Sequence, residues 1–359
     1  MTEKWEYPMD VVCSNDEKRA CAIRLGYVYC DGYSTEAKIG AFSHFHDDHS
    51  SSIPKCLNKY DLLITHHKTL RAFENKGWSH YEQWHPMEYG ESIRTNSLTI
   101  RLLKANHIPG SAQIFVQTDD KSMLYSGDFN YPFATITETD YLVLDATHGD
   151  PSVDGKTDRK SVLNRMYEHV KEIVDDKKSV VIYTNQGTLQ EIIRHFEIVY
   201  EGNEGNLSHD IHFVAKKDQI EILNSIYKEE RDEFRVILEY GTREFWKLIR
   251  SHKPCVVFLV DKNMIEDLQH MYRIFTDRYQ YRSSKGAIIH HSSTNSSHYN
   301  LASHASIDNV ISYVKDTKAK VVVTDGSRSK QAKALARQIE LSCDDRIRVF
   351  TRGNTSNND

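Results

Sequence analysis

The chain has 359 residues, a formal net charge of −5 and 39% hydrophobic residues. That length supports two domains with full cores, and the mild acidity means that a nucleic-acid partner needs a local basic groove. A mean hydropathy of −0.60 and the lack of a long apolar run argue against a membrane-spanning helix. The charged start Met1-Thr2-Glu3-Lys4 carries no visible signal peptide, and six cysteines without a C-x-x-C pair are expected to be reduced thiols of an intracellular protein.

In chain order, Cys21–Leu25 and Tyr27–Tyr29 read as short strands, with a turn at Asp31-Gly32. Ile39–Phe42 is a strand that stops at Ser43-His44-Phe45-His46-Asp47-Asp48-His49. In extended backbone His44 and His46 point the same way, while Asp48 and His49 follow a turn and face a second position. Imidazole and carboxylate together suit zinc, and an oxygen-richer half tolerates manganese or iron. Tyr60–Ile64 is a strand and Lys68–Asn75 a short helix; His66, His67, His80 and His85 match no ligand spacing and are expected in loops or at the surface.

Leu98–Leu102 alternates as a half-buried strand and runs into Asn106-His107-Ile108-Pro109-Gly110, which offers His107 as a third imidazole. A hairpin of Ile114–Val116 and Ser122–Tyr125 ends in Ser126-Gly127-Asp128, where the two oxygens of Asp128 can bridge two metals. Tyr141–Leu144 is a strand that delivers Asp145-Ala146-Thr147-His148-Gly149.

Lys160–Val174 has an amphipathic helical period. Short apolar strands at 180–183, 211–214, 236–238 and 256–260 then alternate with helices near 189–196, 220–227, 244–250 and 264–275, as in a parallel α/β sheet. A strand at 286–289, a helix at 307–314 behind the N-cap Ser306, a strand at 321–324 and a helix at 329–339 follow. Asp325 stands at a strand end, open to two readings: a ligand of the second metal, or a cap of the following helix.

The pattern H-x-H-x-D-H at His44, His46, Asp48 and His49 resembles the signature of the metallo-β-lactamase superfamily. Asn106–Gly110, Ser126–Phe129, Asp145–Gly149 and Leu301–Ser306 are similar to successive motifs of its β-CASP nuclease branch, and the wording is most similar to SNM1/Artemis-type DNA-processing members. The resemblance implies an αββα sandwich (α/β, α+β) with an inserted α/β β-CASP cap. The core is then 1–177 and 287–350, the cap 178–286, and 351–359 a disordered tail. Thr184–Glu191 resembles the opening of the cap, with Thr188 where that family often has Arg.

The expected chemistry is hydrolysis of nucleic-acid phosphodiesters, DNA ahead of RNA and exonucleolytic, with two divalent metals. His44, His46 and His107 are assigned to one metal, Asp48 and His49 to the other with Asp325 as a further candidate, and Asp128 bridges. His304 is the candidate general acid, Asp145 its orienting partner, and Ser303, Ser306 and Ser327 candidate phosphate contacts. The alternatives are an RNA-processing nuclease of the same branch, a small-molecule ester or thioester hydrolase, or a scaffold without catalysis.

Overall fold

The computed structural model describes residues 5–13, 21–95, 97–147, 159–202, 211–230, 237–260, 268, 270–276, 288–291, 295–301, 303–343 and 346–353. They fall into two units, 1–153 with 304–359, and 154–303.

The first unit begins with a sheet of β1 (Met9–Val12), β2 (Ala22–Leu25), β3 (Val28–Cys30), β4 (Ile39–Phe42), β5 (Leu62–His66) and β6 (Trp84–Met87), in that spatial order. Strands β3 to β6 are mutually parallel. Helices α1 (Asp47–Ser50), α2 (Ile53–Leu57) and α3 (His67–Ala72) lie between these strands in sequence, and α3 packs on β5 and β6. The second sheet opens with β7 (Ser92–Thr95), β8 (Leu98–Lys104), β9 (Ala112–Gln117), β10 (Ser122–Tyr125) and β11 (Tyr141–Leu144).

The second unit holds α4 (Arg159–Asp175), β12 (Val180–Tyr183), α5 (Thr188–Gly202), β13 (His212–Ala215), α6 (Lys217–Ile226), β14 (Ile237–Glu239), α7 (Arg243–Arg250), β15 (Cys255–Leu259), β16 (Tyr272–Thr276), β17 (Ile288–His291) and β18 (Ser296–Tyr299). Its sheet has the order β14-β13-β15-β12-β16-β18-β17, parallel except at β17. Arg159, at the start of α4, reaches Thr188 Oγ1 at 3.3 Å and Glu191 Oε2 at 2.5 Å. A guanidinium therefore stands beside Thr188 although the chain has no Arg there.

The chain returns to the first unit with α8 (Ile307–Thr317), β19 (Val321–Asp325), α9 (Ala332–Ser342) and β20 (Arg348–Arg352). The second sheet is then ordered β20-β19-β11-β10-β9-β8-β7. Alternation sorts its side chains between two faces. Ile100, Leu102, Met123, Tyr125, Val143 and Val323 join Ile23, Leu25, Val28 and Ala41 of the first sheet in one core. Leu103, Leu124, Leu142 and Val322 face the other way, onto Val310 and Tyr313 of α8 and Leu335 of α9. Each such side chain contributes roughly 1.5–3 kcal/mol by leaving water.

Several expectations shift. Residues 272–276 form a strand, not the end of a helix: pairing with β12 and β18 outweighs local propensity. Met264 to Gln269, but for Leu268, lies outside the described residues, as do His148, Gly149, Gly286, Ala287 and the tail beyond Gly353. Thr351 and Arg352 are strand, paired with β19. The amphipathic helix α4 belongs to the second unit, not the first. Cys13 and Cys21 are joined by a disulfide rather than reduced, because the β1–β2 register sets Val12 opposite Ala22 and so places the two flanking cysteines together.

Candidate metal centre

Strand direction builds the site. β8 and β10 are both antiparallel to β9, and β10, β11 and β19 are parallel, so all four end on one edge of their sheet. His107, Asp128, Asp145 and Asp325 come at or just past those ends. From the first sheet, parallel β3 and β4 deliver Asp31 and Ser43-His44. The sheets are joined there by the Ala112 N–H donating to the Ser43 carbonyl at 2.8 Å. Gly127 adopts φ +53°, and a Cβ on it would stand 2.9 Å from Ser43 Cβ, so glycine is required for the turn to Asp128.

Four donor atoms converge. His44 Nε2 and His46 Nδ1 are 3.0 Å apart, and His46 Nδ1 and His107 Nε2 are 3.2 Å apart. Asp128 Oδ2 lies 3.6 Å from His44 Nε2 and 3.5 Å from His107 Nε2. A tetrahedral ion with bonds of about 2.0–2.1 Å spaces its donors by roughly 3.3–3.4 Å, so this set fits zinc-like coordination. Burial holds the His44 imidazole well below its ordinary pKa, with His49 adding to the effect, so it is neutral and keeps its lone pair.

Beside it, His49 Nε2 lies 3.2 Å from Asp128 Oδ1 and 3.6 Å from Asp48 Oδ2. Asp128 thus turns one oxygen to each group. Burial opposes a charge on His49, yet Asp128 and Asp31 outweigh it and hold its pKa well above the ordinary value. Burial also opposes the Asp128 carboxylate, but His49 and His304 more than offset this and keep it ionised.

His304 stands next to this cluster. Its Nδ1 is 3.2 Å from Asp145 Oδ2 and its Nε2 3.8 Å from Asp128 Oδ2. Asp145 is itself fixed: its Oδ1 accepts from Thr147 N at 2.8 Å and Thr147 Oγ1 at 2.5 Å.

The remaining candidates go elsewhere. Asp325 Oδ1 accepts from Ser327 N at 2.8 Å and Ser327 Oγ at 2.6 Å, and its Oδ2 accepts from Arg328 at 2.8 Å. Both Asp325 oxygens and both Ser327 donors are thus taken up within this turn, while the N-cap position of α9 is Gln331. Ser306 Oγ accepts from Asn309 N at 3.3 Å as the N-cap of α8. Ser303 is buried and is the last residue of the second unit. Arg328, in the polar run after β19, has a side chain only 9% exposed.

His66 is buried, not at the surface. With His67 and Glu88 it forms a second group of close donors, but His66 Nδ1 accepts from Lys68 N, so its proton sits on Nε2 and ligation would cost the cap of α3.

Asp31 is the residue that motif reading misses. Its Oδ2 lies 2.8 Å from His49 Nδ1 and accepts from Ser43 Oγ at 2.5 Å, and Ser43 Oγ lies 2.9 Å from His44 Nδ1. The signal for it was its place after a strand parallel to β4, which the Asp-Gly turn reading hid.

The two facing sheets, the flanking helices and the strand-end cluster define a metallo-β-lactamase-like α+β fold with a histidine–carboxylate centre able to hold metal ions. No family model matches the chain. The RNase J-like protein of Methanocaldococcus jannaschii is 32% identical over 176 residues, 42% of this chain and 41% of that protein. RNase aCSPSF2 of Saccharolobus solfataricus is 30% identical over 103 residues, 26% of this chain and 20% of that protein. The chain therefore spans less than half the length of either. An uncharacterized protein of Acidianus ambivalens is 32% identical over 112 residues, 30% of this chain and 78% of that protein, and the chain belongs to one family with it. Among solved structures, a protein of unknown function from Enterococcus faecalis V583 shares the fold, with a TM-score of 0.54 at 13% identity over 91% of this chain and 82% of that one. The ribonuclease names of the first two relatives fit the resemblance to the β-CASP branch. Among the described residues, no helix is long and apolar enough to cross a membrane.

Proposed function

We propose that this chain is a metal-dependent ribonuclease of the β-CASP branch that hydrolyses RNA phosphodiester bonds, with residues of the second unit forming the β-CASP cap. The observation that carries this reading is the convergence of His44, His46, His107 and Asp128 next to the His304–Asp145 pair. An ester or thioester hydrolase accounts for the first group but not for a carboxylate-held imidazole beside it. RNA is favoured over DNA by the relatives named RNase J-like protein and RNase aCSPSF2.

His44, His46, His107 and Asp128 would hold the first cation, for which three imidazoles and a carboxylate suit zinc. Asp48, His49 and Asp128 would hold the second, where manganese also fits. Divalent cations bound there would lower the pKa of an attacking water and neutralise charge building on the phosphate. Asp145 Oδ2 faces His304 Nδ1, which leaves Nε2 as the atom that carries the proton to the departing oxygen. The test is incubation of purified protein with end-labelled RNA and DNA of one sequence, with zinc or manganese, beside His46→Ala. Cleavage of RNA that is lost in His46→Ala is expected. Cleavage that survives His46→Ala, or of DNA alone, overturns the reading; product length separates exonucleolytic from internal cutting.

A further inference from the structure

Arg328 lies three residues beyond Asp325, the last residue of β19. Its guanidinium donates to Asp325 Oδ2 at 2.8 Å, to the Asp31 carbonyl at 2.8 Å, to the Cys21 carbonyl at 3.0 Å and to the Asp48 carbonyl at 3.3 Å. The other Asp325 oxygen accepts both Ser327 donors. Both carboxylate oxygens are therefore engaged within a buried ion pair. Such a pair resists separation, because either charge left alone loses its partner without regaining water.

Asp128 also groups with Asp145 and His304, the pair assigned above to proton transfer; apart from these, the donors left for a second cation are few. Asp48 is 64% exposed and meets His49 at 3.6 Å, and His49 meets Asp128 Oδ1 at 3.2 Å. Among the described residues, no group of three mutually close donors includes Asp48, His49 or Asp325, whereas the first group closes on four. The guanidinium also adds a fixed positive charge against the backbone of Asp31 and Asp48, on the side where a second dication would sit.

We infer that the Arg328–Asp325 pair locks Asp325 out of the metal centre, so that the two cations are held unequally. The first is held by four ligands, the second by Asp48, His49 and the shared Asp128 alone. This rests on the metal-centre reading above. The second cation then binds roughly 100-fold or more weakly than the first and exchanges with the medium.

Calorimetric titration of metal-free protein with zinc tests this. Wild type is expected to give two steps separated by at least about 100-fold. The double variant Asp325→Asn/Arg328→Met, which removes a neutral pair, is expected to keep both steps within about five-fold, whereas loss of a true ligand weakens the second step by roughly 100-fold. Two equal steps in wild type, or loss of the weak step in the double variant, overturn the lock. Should the double variant not fold, a crystal structure of wild type in excess zinc decides: Asp325 still on Arg328 supports the lock, and zinc bonded to Asp325 ends it. His107→Ala separates the two readings, since a tight step that survives it removes the metal centre itself and not merely the lock.

Discussion

Asp31 Oδ2 and His49 Nδ1 lie 2.8 Å apart, and the same oxygen reaches His44 through Ser43 Oγ. One buried carboxylate thus sets the ring orientation of an imidazole in each half of the cluster. It accepts four donors in all, including Ser43 N at 2.7 Å and Tyr125 OH at 3.0 Å.

Asp31→Asn replaces one acceptor with an N–H₂ that faces these donors. Zinc affinity, read by competition with a chromogenic chelator, is expected to fall about 10–100-fold. An unchanged affinity would mean that Asp31 buttresses the fold without tuning the ligands.

Gly127→Ala probes the turn that carries Asp128. The left-handed φ of +53° and the 2.9 Å approach to Ser43 Cβ both oppose a side chain. A loss of about 1–3 kcal/mol is expected in urea unfolding, together with weaker zinc binding because Ser43 is displaced from His44. If stability fell with zinc affinity intact, the Ser43 contact to His44 would be irrelevant to the metal.

The clustering of His44, His46, His107 and Asp128 was legible in the sequence because each stands at or near a strand end, and strand direction alone brings them together. Asp31 and Arg328 were not legible. Asp31 follows a three-residue strand whose parallel partner is known only from the pairing, and Arg328 sits in a run of polar residues that reads as solvated until its acceptors, the Asp325 carboxylate, Ser327 Oγ and three backbone carbonyls, are in view. The fold followed the same division. The alternating strands of the second sheet announced themselves, while Trp84–Met87 and Arg348–Arg352 owe their extended form to neighbours rather than to periodicity.

His304→Ala is expected to lower kcat for RNA cleavage by about 10²–10⁴-fold while zinc stoichiometry stays at the wild-type value. Asp145→Asn should give a smaller loss, about 10–100-fold, since the ring remains but loses its orienting acceptor. Were His304→Ala to lose zinc as well, the imidazole would be a ligand, as its grouping with Asp128 and Asp145 allows.

A pH effect on stability is expected at His66, well apart in role from the cluster. Its Nδ1 accepts from Lys68 N at 3.2 Å and caps α3, which only a neutral ring can do. Burial, helped by the nearby charges of His67, Lys68 and Arg71, holds its pKa down at about 3. An unfolded histidine titrates near 6.5. Because the folded value is the lower one, the stabilisation from His66 is complete above about pH 6.5 and shrinks as the pH falls from there toward 3. His66→Asn keeps an acceptor at the cap but does not titrate. In urea unfolding with a chelator present, wild type should therefore lose about 1 kcal/mol or more relative to His66→Asn between pH 7 and pH 5. A gap between the two proteins that does not change with pH would show that the His66 ring does not charge on unfolding in that range, and that the cap is held by some other acceptor.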